Sequence, residues 1–88
     1  MDPRIPTADE LNAMSAVAYR TVENRCRRAA HRQGLHLERS RSRDVRSVDY
    51  GTYHLINLAT HTLEYWGLPG GYGLGLDDIA EVLWGPRQ

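Results

Sequence analysis

The chain predicts an α+β fold in the order αβββα: a long N-terminal helix, a three-stranded antiparallel sheet and a short C-terminal helix. Three observations predict it. Apolar residues recur at spacings of three and four through the first third of the chain. The middle alternates apolar with polar residues and concentrates aromatic and branched side chains. A last apolar stripe then sits between a glycine-rich stretch and Gly85-Pro86.

The first element opens at Pro6-Thr7-Ala8-Asp9-Glu10. Thr7 can cap the free amides while Glu10, three residues on, reaches back to close a capping box. Leu11, Met14, Ala18, Val22, Cys26 and Ala29 form one buried stripe, and Gly34 supplies the stop. This predicts a helix from about Ala8 to Gln33, with a bend near Ser15. Leu35 to Ser40 alternates as a first strand, and residues 41 to 49 form a polar connector. Tyr50 to Asn57 and Thr62 to Trp66 read as two further strands joined by a four-residue hairpin. Tyr53 and Leu55 are then expected opposite Leu63 and Tyr65. Gly67 to Gly73 reads as a flexible connector. Leu76 to Trp84 is the last helix, with Gly75 at its cap and Asp77 and Asp78 complementing its dipole. Leu74 and Ile79 are spaced as a hydrophobic staple.

At 88 residues the chain is expected to form a single domain with residues 1–6 as a loose lead-in. A chain this short hides only roughly 60–65% of its unfolded surface, so its core is modest. No apolar run approaches the ~20 residues that span a bilayer, and the first residues lack the pattern of a secretory signal. The single cysteine, Cys26, cannot form an internal disulfide. The expected setting is cytoplasmic.

A net charge of zero hides two opposed halves. From Arg20 to Arg46, nine arginines face three carboxylates, a net +6. From Ser47 onward one arginine faces five carboxylates, a net −4. Every cation is arginine, whose planar fork suits phosphate and carboxylate. A GC-rich genome produces the same preference without any functional cause.

The possible sites differ in strength. Gly71, Gly73 and Gly75 precede a helix, but their spacing is neither G-x-G-x-x-G nor a Walker loop, and no lysine follows. Cys26, His31, His36, His54 and His61 lack the paired spacing of a zinc site, so no metal or cofactor is expected. No nucleophile and base stand in a recognisable arrangement, so the chain reads as a binding protein rather than an enzyme. The arginine region is the leading candidate for binding nucleic acid. Arg25, Arg28 and Arg32 fall at i, i+3 and i+7 on one helix face. Arg39, Arg41 and Arg43 alternate, sharing one side if the strand extends that far. Both groups would converge on one phosphate-sized surface, with Ser40, Ser42 and Thr52 adding neutral contacts. The alternative is a protein-binding adaptor or homodimer using Trp66, Tyr72 and Trp84.

Several segments carry a resemblance: Arg28-Ala29-Ala30-His31-Arg32-Gln33-Gly34-Leu35-His36-Leu37, Ser40-Arg41-Ser42-Arg43-Asp44, Asp49-Tyr50-Gly51-Thr52-Tyr53-His54-Leu55-Ile56 and Gly71-Tyr72-Gly73-Leu74. On these, the chain resembles a group of short, largely uncharacterised proteins of actinobacteria and their phages. It departs from them at Leu58-Ala59-Thr60-His61, where a proline-containing turn is more usual. The resemblance implies a bacterial or phage cytoplasm and a regulatory setting, and no activity. The element order is also similar to that of double-stranded RNA-binding domains. Asp77-Asp78 stands where their last helix opens on lysines, which argues against that mode of binding. Small three-stranded sheets that enter the DNA major groove would suit Arg39, Arg41 and Arg43 better.

Overall fold

A computed structural model describes residues 4–85. Its elements are α1 (Ala8–Ala13), α2 (Ala16–Arg32), β1 (Leu35–Arg39), β2 (Tyr53–Asn57), β3 (Thr62–Tyr65) and α3 (Leu76–Trp84). The strands form one antiparallel sheet in the order β1-β2-β3.

The capping box forms at Thr7: its hydroxyl accepts from the Glu10 amide at 3.1 Å, and its own amide donates to the Glu10 carboxylate at 3.3 Å. The expected single helix is broken rather than bent. Met14 and Ser15 are extended, and the Ser15 hydroxyl caps α2 by accepting from the Ala18 amide at 3.1 Å. A serine side chain that satisfies the backbone in this way competes with helix continuation. The break lets α1 turn so that Leu11 is buried and packs with the core that α3 completes. Pro6 is buried and Ile5 packs on the core, while residues 1–3 lie outside the described residues.

In α2 the buried residues are Cys26, Ala29 and Ala30, with Val22 and Tyr19 packed beside them. Gly34 ends the helix with φ +76°, a conformation that costs glycine little. β1 pairs with β2 from Leu35↔Asn57 to Arg39↔Tyr53. Leu35, Leu37, Tyr53 and Leu55 point to the helices, where they meet Leu76, Ile79, Ala80 and Leu83 of α3. The opposite sheet face carries His36, Glu38, His54 and Ile56 by simple alternation.

Register on the β3 side differs from expectation. Leu55 pairs with Tyr65 and Ile56 with Leu63, with an irregularity between them. Tyr53 pairs instead with Leu74, through two backbone hydrogen bonds of 2.7 and 3.1 Å. β2 is longer than β3, so the remaining backbone groups of β2 are taken by the chain returning after residues 66–73. β2 also starts at Tyr53 rather than Tyr50, because the Thr52 amide turns back to the Asp49 carbonyl and Gly51 is left-handed. In α3, the Gly75 amide donates to the Asp78 carboxylate at 2.9 Å. Leu74 is partly buried and packs against the core cluster to which Ile79 belongs. Pro86, the second half of the expected stop, is outside the described residues.

Candidate nucleic-acid interface

Arg25, Arg28 and Arg32 are exposed on α2, bordering the stripe formed by Cys26, Ala29 and Ala30. Together with Arg4 and Trp84 they line one hollow of about 290 Å³. Two contacts fix this arrangement. The Gln33 side-chain amide donates to the Leu83 carbonyl at 3.0 Å, tying the end of α2 to the last turn of α3. The Arg4 guanidinium lies 5.4 Å from the centroid of the Trp84 ring, a cation–π distance. Among the described residues, no carboxylate lines the hollow. What gathers here is therefore several guanidinium groups and an aromatic ring, the chemistry that pairs with phosphate.

Arg39 does not join them. Antiparallel travel from α2 through β1 carries it back to the first turns of α2. There it lines a second hollow, of about 440 Å³, with Met14, Ser15, Ala16, Tyr19, Arg20 and Glu23. Its guanidinium is 4.0 Å from the Glu23 carboxylate and 5.9 Å from the Tyr53 ring centroid. Glu23 is the hub of this region. It accepts from the Tyr53 hydroxyl at 2.5 Å and lies 3.5 Å from Arg27, whose guanidinium also donates to the Leu37 carbonyl at 2.9 Å. The Tyr53 proton is committed to Glu23, so the Tyr19 hydroxyl, 3.0 Å away, donates to Tyr53. Burial, and then the bond to Glu23, pushes the Tyr53 phenol well above its ordinary range.

Arg41 and Arg43 are exposed on the segment between β1 and β2, beyond the point where strand alternation applies. That segment is closed on Asp49. Ser40 donates to one carboxylate oxygen at 2.7 Å and Ser47 donates to the other. These bonds, Ser47 first and then Ser40, hold the Asp49 carboxyl below its usual value. Thr52 donates to the Asp49 carbonyl at 2.6 Å and accepts from the Gly73 amide at 2.8 Å. The Ser42 amide donates to the Ser40 hydroxyl at 3.2 Å. The hydroxyls of Ser40 and Thr52, expected as phosphate contacts, are thus engaged in holding the loop. The helix and strand arginines consequently occupy separate regions rather than one converging surface.

Among the aromatic candidates, Trp84 stands apart from Tyr72. Trp66 is exposed after β3, and Trp84 belongs to the arginine hollow. Tyr72 stacks on His54, with centroids 3.9 Å apart and planes at 9°. His54 is buried, and its Nδ1 accepts from the Tyr72 amide at 3.0 Å. The remaining proton is therefore on Nε2, which donates to Glu38 at 2.8 Å. The glycine-rich stretch is thereby latched onto the outer sheet face rather than hanging as a free connector. Its backbone adds bonds from the Gly67 and Leu68 amides to the Tyr72 carbonyl.

Sequence spacing misses both side-chain networks. The only available signal for the first is that Tyr19 and Glu23 are four apart on one helix face. Glu38 and His54 become partners only once the β1–β2 register is known. Among the described residues, no group of three or more histidine, cysteine or acidic side chains is placed to hold a metal ion. With this geometry in hand, no family model, no curated protein and no solved structure matches the chain.

Proposed function

We propose that the protein is a small binding module that contacts nucleic acid through phosphate pairing at Arg25, Arg28 and Arg32. The observation that carries this reading is their shared hollow, which among the described residues has no carboxylate in its lining. Arginines whose charge is not matched by a neighbouring acid keep their full attraction for phosphate, and phosphate pairing supplies most non-specific affinity. Arg39 is a weaker contributor, because Glu23 already balances it. Arg41 and Arg43 lie on the loop after β1 and are not part of this hollow. The reading involves binding alone and no bond-making step.

The setting that suits this role is the cytoplasm of a bacterium or a phage-infected cell, with a regulatory purpose. Among the described residues, no helix is long and apolar enough to cross a membrane. A protein-binding role for Trp66, Tyr72 and Trp84 has less support, because Trp84 lines the arginine hollow whereas Tyr72 is stacked on His54.

Fluorescence anisotropy with labelled duplex and single-stranded DNA, at about 50 and about 200 mM salt, tests the proposal. Binding is expected at low salt and weakens steeply as salt rises. The triple variant Arg25→Ala, Arg28→Ala, Arg32→Ala is expected to lower the slope of log affinity against log salt by about 3. Its affinity at low salt should fall at least about a hundredfold, since charged hydrogen bonds are worth roughly 1.5–3 kcal/mol each. Absence of binding to either form at low salt overturns the reading.

A further inference from the structure

We infer that the arginine hollow takes single-stranded nucleic acid, with an unstacked base against Trp84 and the neighbouring phosphates on Arg25, Arg28 and Arg32. This rests on the nucleic-acid reading above and narrows it to one class of strand.

The case begins with where Trp84 sits. Leu76, Ile79, Ala80 and Leu83 form the buried stripe of α3. Trp84 follows at the edge of that stripe, so one part of its ring packs on the core while another part lines the hollow. The Gln33–Leu83 hydrogen bond keeps it beside the last turn of α2, where Arg28 and Arg32 project. The Arg4 guanidinium already occupies a position 5.4 Å from the ring centroid. A planar cation at that distance shows that the ring offers a π face to the hollow. A nucleobase is a flat group of similar demand, and it would stack on the indole.

Duplex DNA keeps its base faces stacked inside the helix and presents only edges and phosphates. An aromatic ring among arginines adds little to duplex affinity. It adds to single-strand affinity, because splayed bases stack on aromatic side chains and guanidinium planes. The mixed lining of cations and one ring therefore favours the single strand.

Trp66 lies on a separate loop and outside this hollow, so Trp66→Phe leaves Trp84 as the sole tryptophan reporter. Titration of that variant with a thymidine oligonucleotide of about 20 nucleotides is expected to quench its emission, while a duplex of equal length binds without comparable quenching. Trp84→Leu is expected to weaken single-strand binding about 5- to 100-fold and to change duplex binding by less than about twofold. Trp84→Phe, which keeps a ring, should recover most of the loss, and circular dichroism checks that each variant is folded. Single-strand binding without a change in Trp84 emission overturns the inference and leaves phosphate pairing intact. Equal loss of duplex and single-strand binding in folded Trp84→Leu does the same. Absence of binding to both strands overturns the inference together with the reading beneath it.

Discussion

Tyr53 illustrates how one side chain serves two purposes in a core this small. Its ring is fully buried between sheet and helices, and its hydroxyl reaches Glu23 and Tyr19 at the boundary of the core. A buried phenol is tolerable only because both its donor and its acceptor capacity are used. Tyr53→Phe keeps the ring and deletes the oxygen, leaving Glu23 without its shortest partner and Tyr19 without an acceptor. The expected result is a loss of about 1–3 kcal/mol, read as a lower urea midpoint with unchanged slope. An unchanged midpoint would mean that water replaces the hydroxyl without penalty. Cys26 shows the simpler case of a thiol acting as a small apolar group. Burial, and secondarily the nearby Glu23 charge, pushes its pKa up to about 11.

At the scale of elements, the stretch between β3 and α3 departs most from its composition. Four glycines and a proline suggest slack between residues 67 and 73, yet this stretch covers the outer sheet face and is held by His54 and Thr52. Its glycines are not equivalent. Gly71 has φ +98°, and a Cβ there would lie 3.0 Å from His54 Nδ1, whereas a Cβ on Gly70 meets nothing within 4 Å. Gly71→Ala is therefore expected to destabilise by about 1–3 kcal/mol, through backbone strain and displacement of the imidazole. Gly70→Ala should stay within about 0.5 kcal/mol of the parent or gain slightly by restricting the unfolded chain. Thermal melts of the two variants side by side decide the matter, and equal midpoints would contradict the latch. The α1–α2 junction follows the same logic, since Ser15 spends its side chain on the Ala18 amide and so ends one helix while starting the next.

For the whole molecule, the linear asymmetry of charge becomes a separation only in part, since Asp49 closes the loop that carries Arg41 and Arg43. Asp77 and Asp78 sit at the first turn of α3, whereas Trp84 and the arginine hollow lie at its other end, about 12 Å away along a helix of this length. The core itself makes stability sensitive to alkali. Burial holds the folded Cys26 thiol at about 11, against an ordinary value of 9.0 in the unfolded chain, and raises the Tyr53 phenol as well. The folded state retains these protons while the unfolded state releases them. Their contribution to stability is accordingly complete below about pH 9 and is lost as pH rises through about 11. Urea titrations at steps between pH 8 and 11 should show a loss of up to about 3 kcal/mol, reduced in Cys26→Ala relative to its own value at neutral pH. A flat profile across that range would contradict the buried thiol.

Local chemistry alone determined the element order, the capping of α1 and α3 and the shared face of Arg25, Arg28 and Arg32. Each depends on residues within a few positions of one another, where spacing fixes geometry. Tertiary structure decided what lies next to that face. Trp84 and Arg4 reach the arginines from chain positions some fifty and twenty residues away. Arg39 is carried off to Glu23 because β1 runs back along α2. The pairing of Glu38 with His54 waits on strand register, and the pairing of Tyr53 with Leu74 waits on how far β3 extends. Such contacts arise from the packing of distant elements around one core, which no short window of sequence contains.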